Sequence, residues 1–244
     1  MKKLILFSIF LFSINAFSQK LTKTEKQLIE TIDKNYKETL ALLEEVVNIN
    51  SGTFNMQGVR EVGRVFEREF AKIGFETEWI TLPDSLKRAG HFVATRKGTK
   101  GKKLFFIGHL DTVFEKDMPF YPFTMVNDST AKGQGVNDMK GGNVMVFATL
   151  KAMEELGLLK DRTITVYFPG DEENAGSPSW VSRLDFVEKA KQHDYALGYE
   201  TAQGFNTATI ARRGASGWTL KTTGKQVHCS GVDRESVGYG AIYA

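Results

Sequence analysis

Residues 103–113 read Lys103-Leu104-Phe105-Phe106-Ile107-Gly108-His109-Leu110-Asp111-Thr112-Val113. A short apolar run stops at a glycine, and an imidazole and a carboxylate follow at once. Two later stretches repeat the pattern. Val166-Tyr167-Phe168 leads into Pro169-Gly170-Asp171-Glu172-Glu173, and Ala196-Leu197-Gly198-Tyr199 leads into Glu200. Short apolar runs rich in aromatic and β-branched residues and bounded by glycine read as buried strands. Between them the period is helical. Leu28, Ile29, Ile32, Tyr36, Leu40, Leu43 and Val46 recur at three- and four-residue steps, which predicts one amphipathic helix over 22–47. Further helices are expected at 58–73, stopped by Gly74, and at 142–156 and 179–191. Additional strands are expected at 76–82 and 91–95. Strands alternating with helices predict an α/β fold, a mostly parallel sheet with helices on both faces. In such a sheet the carboxyl ends of the strands gather at one edge, where ligands bind.

Composition narrows the function. Lys2 and Lys3 precede an apolar run from Leu4 to Phe17, with Ala16-Phe17-Ser18 before Gln19. This predicts a signal peptide over residues 1–18 and a secreted or periplasmic protein. The run is shorter than the roughly 20 residues that cross a bilayer, so no membrane span is expected once it is removed. Its loss takes away two lysines, and the formal charge falls from +3 to +1. Near-neutrality gives no electrostatic basis for binding nucleic acid. The basic run at 96–103 is broken by glycines and reads as a solvated hairpin loop. A lone cysteine, Cys229, cannot form an internal disulfide, so core or metal must hold the fold.

Each chemical element is weak alone. A histidine after a strand is more often structural, and an Asp-Glu-Glu run is usually a solvated turn. Gly133-Gln134-Gly135-Val136-Asn137-Asp138 imitates a dinucleotide loop, the sole support for a nicotinamide enzyme. An aspartate replaces its third glycine, which favours a cation over a phosphate. Several carboxylates crowded at one sheet edge repel unless cations lie between them. Imidazole and carboxylate together suit zinc, and two ions sharing a carboxylate and a water would resolve the repulsion and create a nucleophile.

Gly108-His-Leu-Asp-Thr-Val-Phe114 and Gly135-Val-Asn-Asp-Met-Lys-Gly-Gly142 resemble the two most specific motifs of the two-zinc peptidases and deacylases. That family includes glutamate carboxypeptidase, which the chain resembles most, acetylornithine deacetylase, succinyl-diaminopimelate desuccinylase and aminoacylase. The likeness runs from Asn48 to the end of the chain. It implies hydrolysis of an amide bond in a small peptide or N-acyl amino acid by a water activated by two Zn²⁺, with Co²⁺ or Mn²⁺ as substitutes. By this resemblance His109 binds one metal, Asp138 bridges both, Glu173 binds the second and Glu200 completes the first. Asp111 orients His109, and Glu172 is the general base. A cis peptide is expected at Asp138-Met139. His228 matches a lid histidine that reaches the active site of a partner subunit and stabilises the oxyanion, so a homodimer is implied. Cys229, His91 and His193 are read as incidental or structural.

The chain departs from the family twice. Glu200-Thr201 stands where Glu-Pro or Asp-Pro is common, and the second metal's histidine is expected beyond residue 244. The chain therefore reads as a signal peptide (1–18), an incomplete catalytic domain (19–212) and the start of an α+β lid and dimerisation domain (213–244), with extended segments at 207–211 and 216–223. The alternatives are a metal-binding relative without turnover and an inactive fragment of a longer enzyme.

Overall fold

A computed structural model describes residues 20–204, 207–214, 216–231 and 234–236. The expected leader lies outside them. The chain divides into two units, residues 1–202 and 203–244.

The first unit runs α1 (Lys23–Lys34), α2 (Tyr36–Val47), α3 (Met56–Lys72), β1 (Glu76–Ile80), β2 (His91–Arg96), β3 (Lys100–Ile107), β4 (Thr124–Asn127), β5 (Thr130–Lys132), α4 (Gly141–Glu155), β6 (Arg162–Pro169), α5 (Ser179–Ala190) and β7 (Tyr195–Gly198). The single helix expected over 22–47 is two helices. Asn35 closes α1 with its N–H on the Thr31 and Ile32 carbonyls, while its own carbonyl receives the Thr39 N–H. Its side chain donates to Glu155 on α4 at 2.8 Å. Asparagine offers such alternatives to the helical ladder, and the axis breaks there. The third helix is capped by Asn55, which accepts from Gly58 N–H. It stops before Gly74, whose φ of 78° is the left-handed conformation that a glycine provides after a helix.

Strand order in the main sheet is β1-β2-β6-β3-β7. The strands β6, β3 and β7 are mutually parallel, whereas β2 is antiparallel to both β6 and β1. Hence β2 alone opposes the other four, and the sheet is mostly parallel. The basic link at 97–99 is not a hairpin, because β6 lies between the strands it joins. It crosses the start of β6, where the Thr163 hydroxyl donates to the Gly98 carbonyl and receives the Gly98 N–H.

The core explains why both faces of β6 are buried from Ile164 onward. Ile164, Val166 and Phe168 point into a cluster with Val62, Phe66 and Phe70 of α3 and Phe147 and Leu150 of α4. On the other side Tyr167 packs with Val93, Phe105, Phe186 and Ala190. Successive side chains on a strand face opposite sides, so a strand covered by helices on both is largely apolar, and the buried Thr165 has a partner in His193. The hairpin β4–β5 was not expected from sequence. Asn127-Asp128-Ser129, with Ser129 N–H on Asn127 Oδ1 at 2.9 Å, is the turn signal that locates it.

In the second unit no helix or strand occurs among the described residues before a short turn at Cys229–Gly231. The segments expected to be extended at 207–211 and 216–223 are not strands. Ile210 and Trp218 are 98% and 83% exposed, and a strand needs a neighbour for its backbone groups.

Candidate metal centre

The parallel strands deliver their chemistry to one edge. After β3 come His109 and Asp111, after β6 come Asp171, Glu172 and Glu173, and after β7 comes Glu200. Backbone pairing continues past the strands, with Leu110 N–H on the Pro169 carbonyl and Thr112 N–H on the Ser51 carbonyl. A wide turn at Val136–Lys140 adds Asp138. Gly135 opens that turn with φ 69°, and a Cβ on it would lie 2.5 Å from Thr112 Cγ2. The Asp138-Met139 peptide is cis.

His109 is the centre of the arrangement. It is 1% exposed. Its Nδ1 donates to the Asp111 carbonyl at 3.0 Å, with Asp111 Oδ1 at 3.5 Å. That fixes the ring and turns Nε2 outward. There Nε2 meets Asp138 Oδ1 at 3.1 Å, Glu200 Oε1 at 3.5 Å and Glu172 Oε2 at 4.0 Å. Ligand atoms of His109, Asp138 and Glu200 all lie within 4.8 Å of one another. One buried imidazole nitrogen facing partly exposed carboxylates is a donor set suited to a divalent cation with room for water.

Asp111 is the less visible half of the site. It is fully buried. Its carboxylate accepts from the Thr53 hydroxyl at 2.7 Å, from Glu172 N–H at 2.9 Å and from Glu173 N–H at 3.1 Å. Asp111 thus orients the histidine through its backbone carbonyl and the backbone of both glutamates through its carboxylate. Sequence reasoning missed Thr53, although it lies inside the stretch that carried the resemblance. It also missed Asn143, whose buried amide donates to the His109 carbonyl at 2.6 Å, and Lys140, which is buried with Nζ on the Ile49 carbonyl at 2.7 Å. Burial pushes that ammonium down to about 7.

Charge crowding shows in the titrations. Burial opposes protonation of His109, but the Asp111, Glu200 and Glu172 carboxylates outweigh it and raise the imidazole to about 9. Burial and the neighbouring Asp138 charge raise Glu173 to about 6. In both cases the folded metal-free chain holds a proton more tightly than the unfolded one, so stability falls as pH rises. The Glu173 contribution fades between about 4.5 and 6 and the His109 contribution between about 6.5 and 9. Lys140, which burial holds at about 7, works the other way above that pH, so the His109 contribution is read by comparison: in chelator, the melting temperature of the unaltered chain minus that of His109→Gln should shrink between pH 6.5 and 9. Added zinc should reverse that trend, because a bound cation replaces the protons. A difference that grows over this range in chelator contradicts the arrangement.

Residues 105–216 match the model of peptidase family M20/M25/M40. Over that span the chain is similar to this family. The matched span contains His109, Asp111, Asp138, Glu172, Glu173 and Glu200, and His228 lies beyond it. Carboxypeptidase G2 of Pseudomonas sp. (strain RS-16) is 33% identical over 208 residues, 84% of this chain and 49% of that one. Succinyl-diaminopimelate desuccinylase of Bradyrhizobium sp. (strain ORS 278) is 28% identical over 181 residues, 70% of this chain and 47% of that one. The chain spans about half the length of these relatives. Human carnosine dipeptidase 1 superposes with a TM-score of 0.59 at 22% identity over 71% of this chain and 40% of that one, a likeness of fold.

In this chain α4 passes close to the carbonyl before Glu200. A Cβ on Gly142 would lie 2.1 Å from the Tyr199 oxygen. Gly142→Ala must push the 199–200 backbone away from His109. It should destabilise the fold by about 1–3 kcal/mol, the usual cost of overpacking. The rise in melting temperature caused by zinc should also shrink, and an unchanged zinc effect would show that Glu200 had not moved.

His228 lies in the second unit, exposed, with Nδ1 near Ser230 Oγ at 2.9 Å. His91 is buried between β2 and α5, and His193 bonds the Lys189 carbonyl and Thr165.

Proposed function

We propose that this chain forms the metal-binding part of a hydrolase that cleaves an amide bond in a small peptide or N-acyl amino acid. The observation that carries the reading is His109 Nε2, aimed at Asp138, Glu200 and Glu172 while Asp111 holds the opposite ring nitrogen. His109 and Glu200 would hold one cation, Glu173 the other, and Asp138 both. The donor set suits zinc, with cobalt or manganese as substitutes. Bound there, the two ions would polarise the scissile carbonyl and acidify a water molecule.

The remaining work belongs to the protein. Glu172 accepts the proton of the attacking water at its carboxylate and passes it to the departing nitrogen. Its backbone is fixed by Asp111, so the carboxylate is offered from a defined position. His228 is assigned to the oxyanion of a partner subunit's substrate in a homodimer, a role supported by the motif around it. The basic and apolar leader supports export. A non-catalytic metal-binding relative would have no need of Glu172, and a nicotinamide enzyme would have no need of an aspartate beside His109.

The test is a metal count and an assay on protein purified without chelator. Near two zinc per chain, with release of C-terminal amino acids from acyl and dipeptide substrates, supports the reading. A chain that binds no metal and releases nothing refutes it.

A further inference from the structure

The loop that carries Glu172 and Glu173 is held from two sides, and only one of them is the Asp111 carboxylate. On the other side stands Asp171, fully buried, with every oxygen engaged. Oδ2 accepts from Gly176 N–H at 2.9 Å and from the Ser182 hydroxyl at 2.6 Å. Oδ1 is paired with Arg183 Nη1, and the Asp171 carbonyl accepts from Arg183 Nη2 at 2.9 Å. One guanidinium therefore grips both the side chain and the backbone of Asp171, a forked contact that arginine alone among side chains can make. His91 adds a second tie. Its Nδ1 accepts from Gly170 N–H at 3.2 Å, and its Nε2 donates to the Ser182 carbonyl at 2.9 Å. This neutral form agrees with burial lowering the imidazole below its usual range.

We propose that Arg183, through its fork on Asp171, is a positioning residue that fixes the 170–176 loop to α5 and so sets Glu172 and Glu173 against His109. The consequence for turnover rests on the function proposed above, but the clamp is a statement about the fold and is tested separately. The loop has no strand to hold it after Pro169. It is fixed by Asp111 at residues 172 and 173, by Arg183 and His91 at residues 170 and 171, and by Arg88, whose Nε donates to the Asn174 carbonyl at 2.7 Å. Without the fork, the Asp111 and Arg88 contacts remain, but the start of the loop at residues 170 and 171 can move and carry residues 172 and 173 with it. The two carboxylates then spread over several positions, which weakens the second cation's site and misplaces the base.

The experiment compares Arg183→Met and Arg183→Lys with the unaltered chain by amide-resolved hydrogen exchange without metal, followed by zinc competition with a chromophoric chelator. Arg183→Met should speed exchange at Glu172 and Glu173 by about tenfold or more while amides of β3 and β6 keep their rates, because the opening is local. The second zinc should bind about 10–100-fold more weakly, as when other outer partners of metal ligands are removed. Arg183→Lys, which reaches one acceptor of the two, should fall between. If Arg183→Met does not fold, Arg183→Lys against the parent gives the same comparison. Unchanged loop exchange overturns the proposal, as does equal acceleration in loop and sheet, which would make the pair a general stabiliser. A parent without metal binding or hydrolysis counts against the proposed function, while the exchange rates still decide the clamp.

Discussion

Glu172→Gln is expected to lower kcat by about 10²–10⁴-fold, the range that a general base supplies, and to leave zinc content and KM unchanged. Glutamine has the same shape, and the Glu172 N–H on Asp111 is a backbone bond that survives the change. What disappears is the ability to take a proton. The side chain lies 4.0 Å from His109 Nε2 and is half exposed, so a neutral amide there buries nothing and should not unfold the protein. Zinc and kcat measured on the same preparation separate the base from the ligands. A kcat within tenfold of the parent would remove Glu172 from the reaction, and a loss of zinc in parallel would make it a ligand instead.

Asp111→Asn should be the most damaging single change to stability. Its carboxylate receives three donors and lies beside an imidazole that it helps to keep charged up to about 9. An amide can offer one oxygen only, so its NH₂ must face a donor from Glu172, Glu173 or Thr53. Below pH 9 the buried His109 cation also loses the counter-charge on its Nδ1 side, at 3.5 Å. Breaking one side of such a pair costs about 3–5 kcal/mol, and loss of the outer partner of a ligating histidine weakens metal binding about 10–100-fold. Thr53→Val is the graded control, removing one bond to a charged acceptor at about 1.5–3 kcal/mol. Denaturant unfolding in chelator reads both. An Asp111→Asn protein within about 1 kcal/mol of the parent would mean that the carboxylate is not the hub its contacts describe.

The order of strands and helices was legible because each core element repeats one period. The run at 163–168 reads as a strand in the sequence, and it is one, with Ile164, Val166 and Phe168 in the core on one face and Thr165 and Tyr167 buried on the other. The break at Asn35 was not legible, because the apolar stripe continues across it and the Asn35 side chain bonds Glu155, 120 residues away. The direction of β2 was hidden for the same reason. Two strands joined by a short glycine-broken link look like a hairpin, and nothing local announces that β6 comes between them.

The sequence by itself determined which imidazoles and carboxylates the fold brings to one edge. Imidazoles and carboxylates that follow apolar strands must arrive at one edge when those strands run parallel, and the two glycine-flanked motifs are dense enough to resemble a single family. Only the tertiary structure decided how those groups are held. That Asp111 binds the backbone of Glu172 and Glu173, that Thr53 and Asn143 brace it and His109, and that Arg183 grips Asp171 from α5 are contacts between segments remote in sequence. A hydrogen bond depends on distance and angle in space, and neither is encoded in the spacing of residues along a chain.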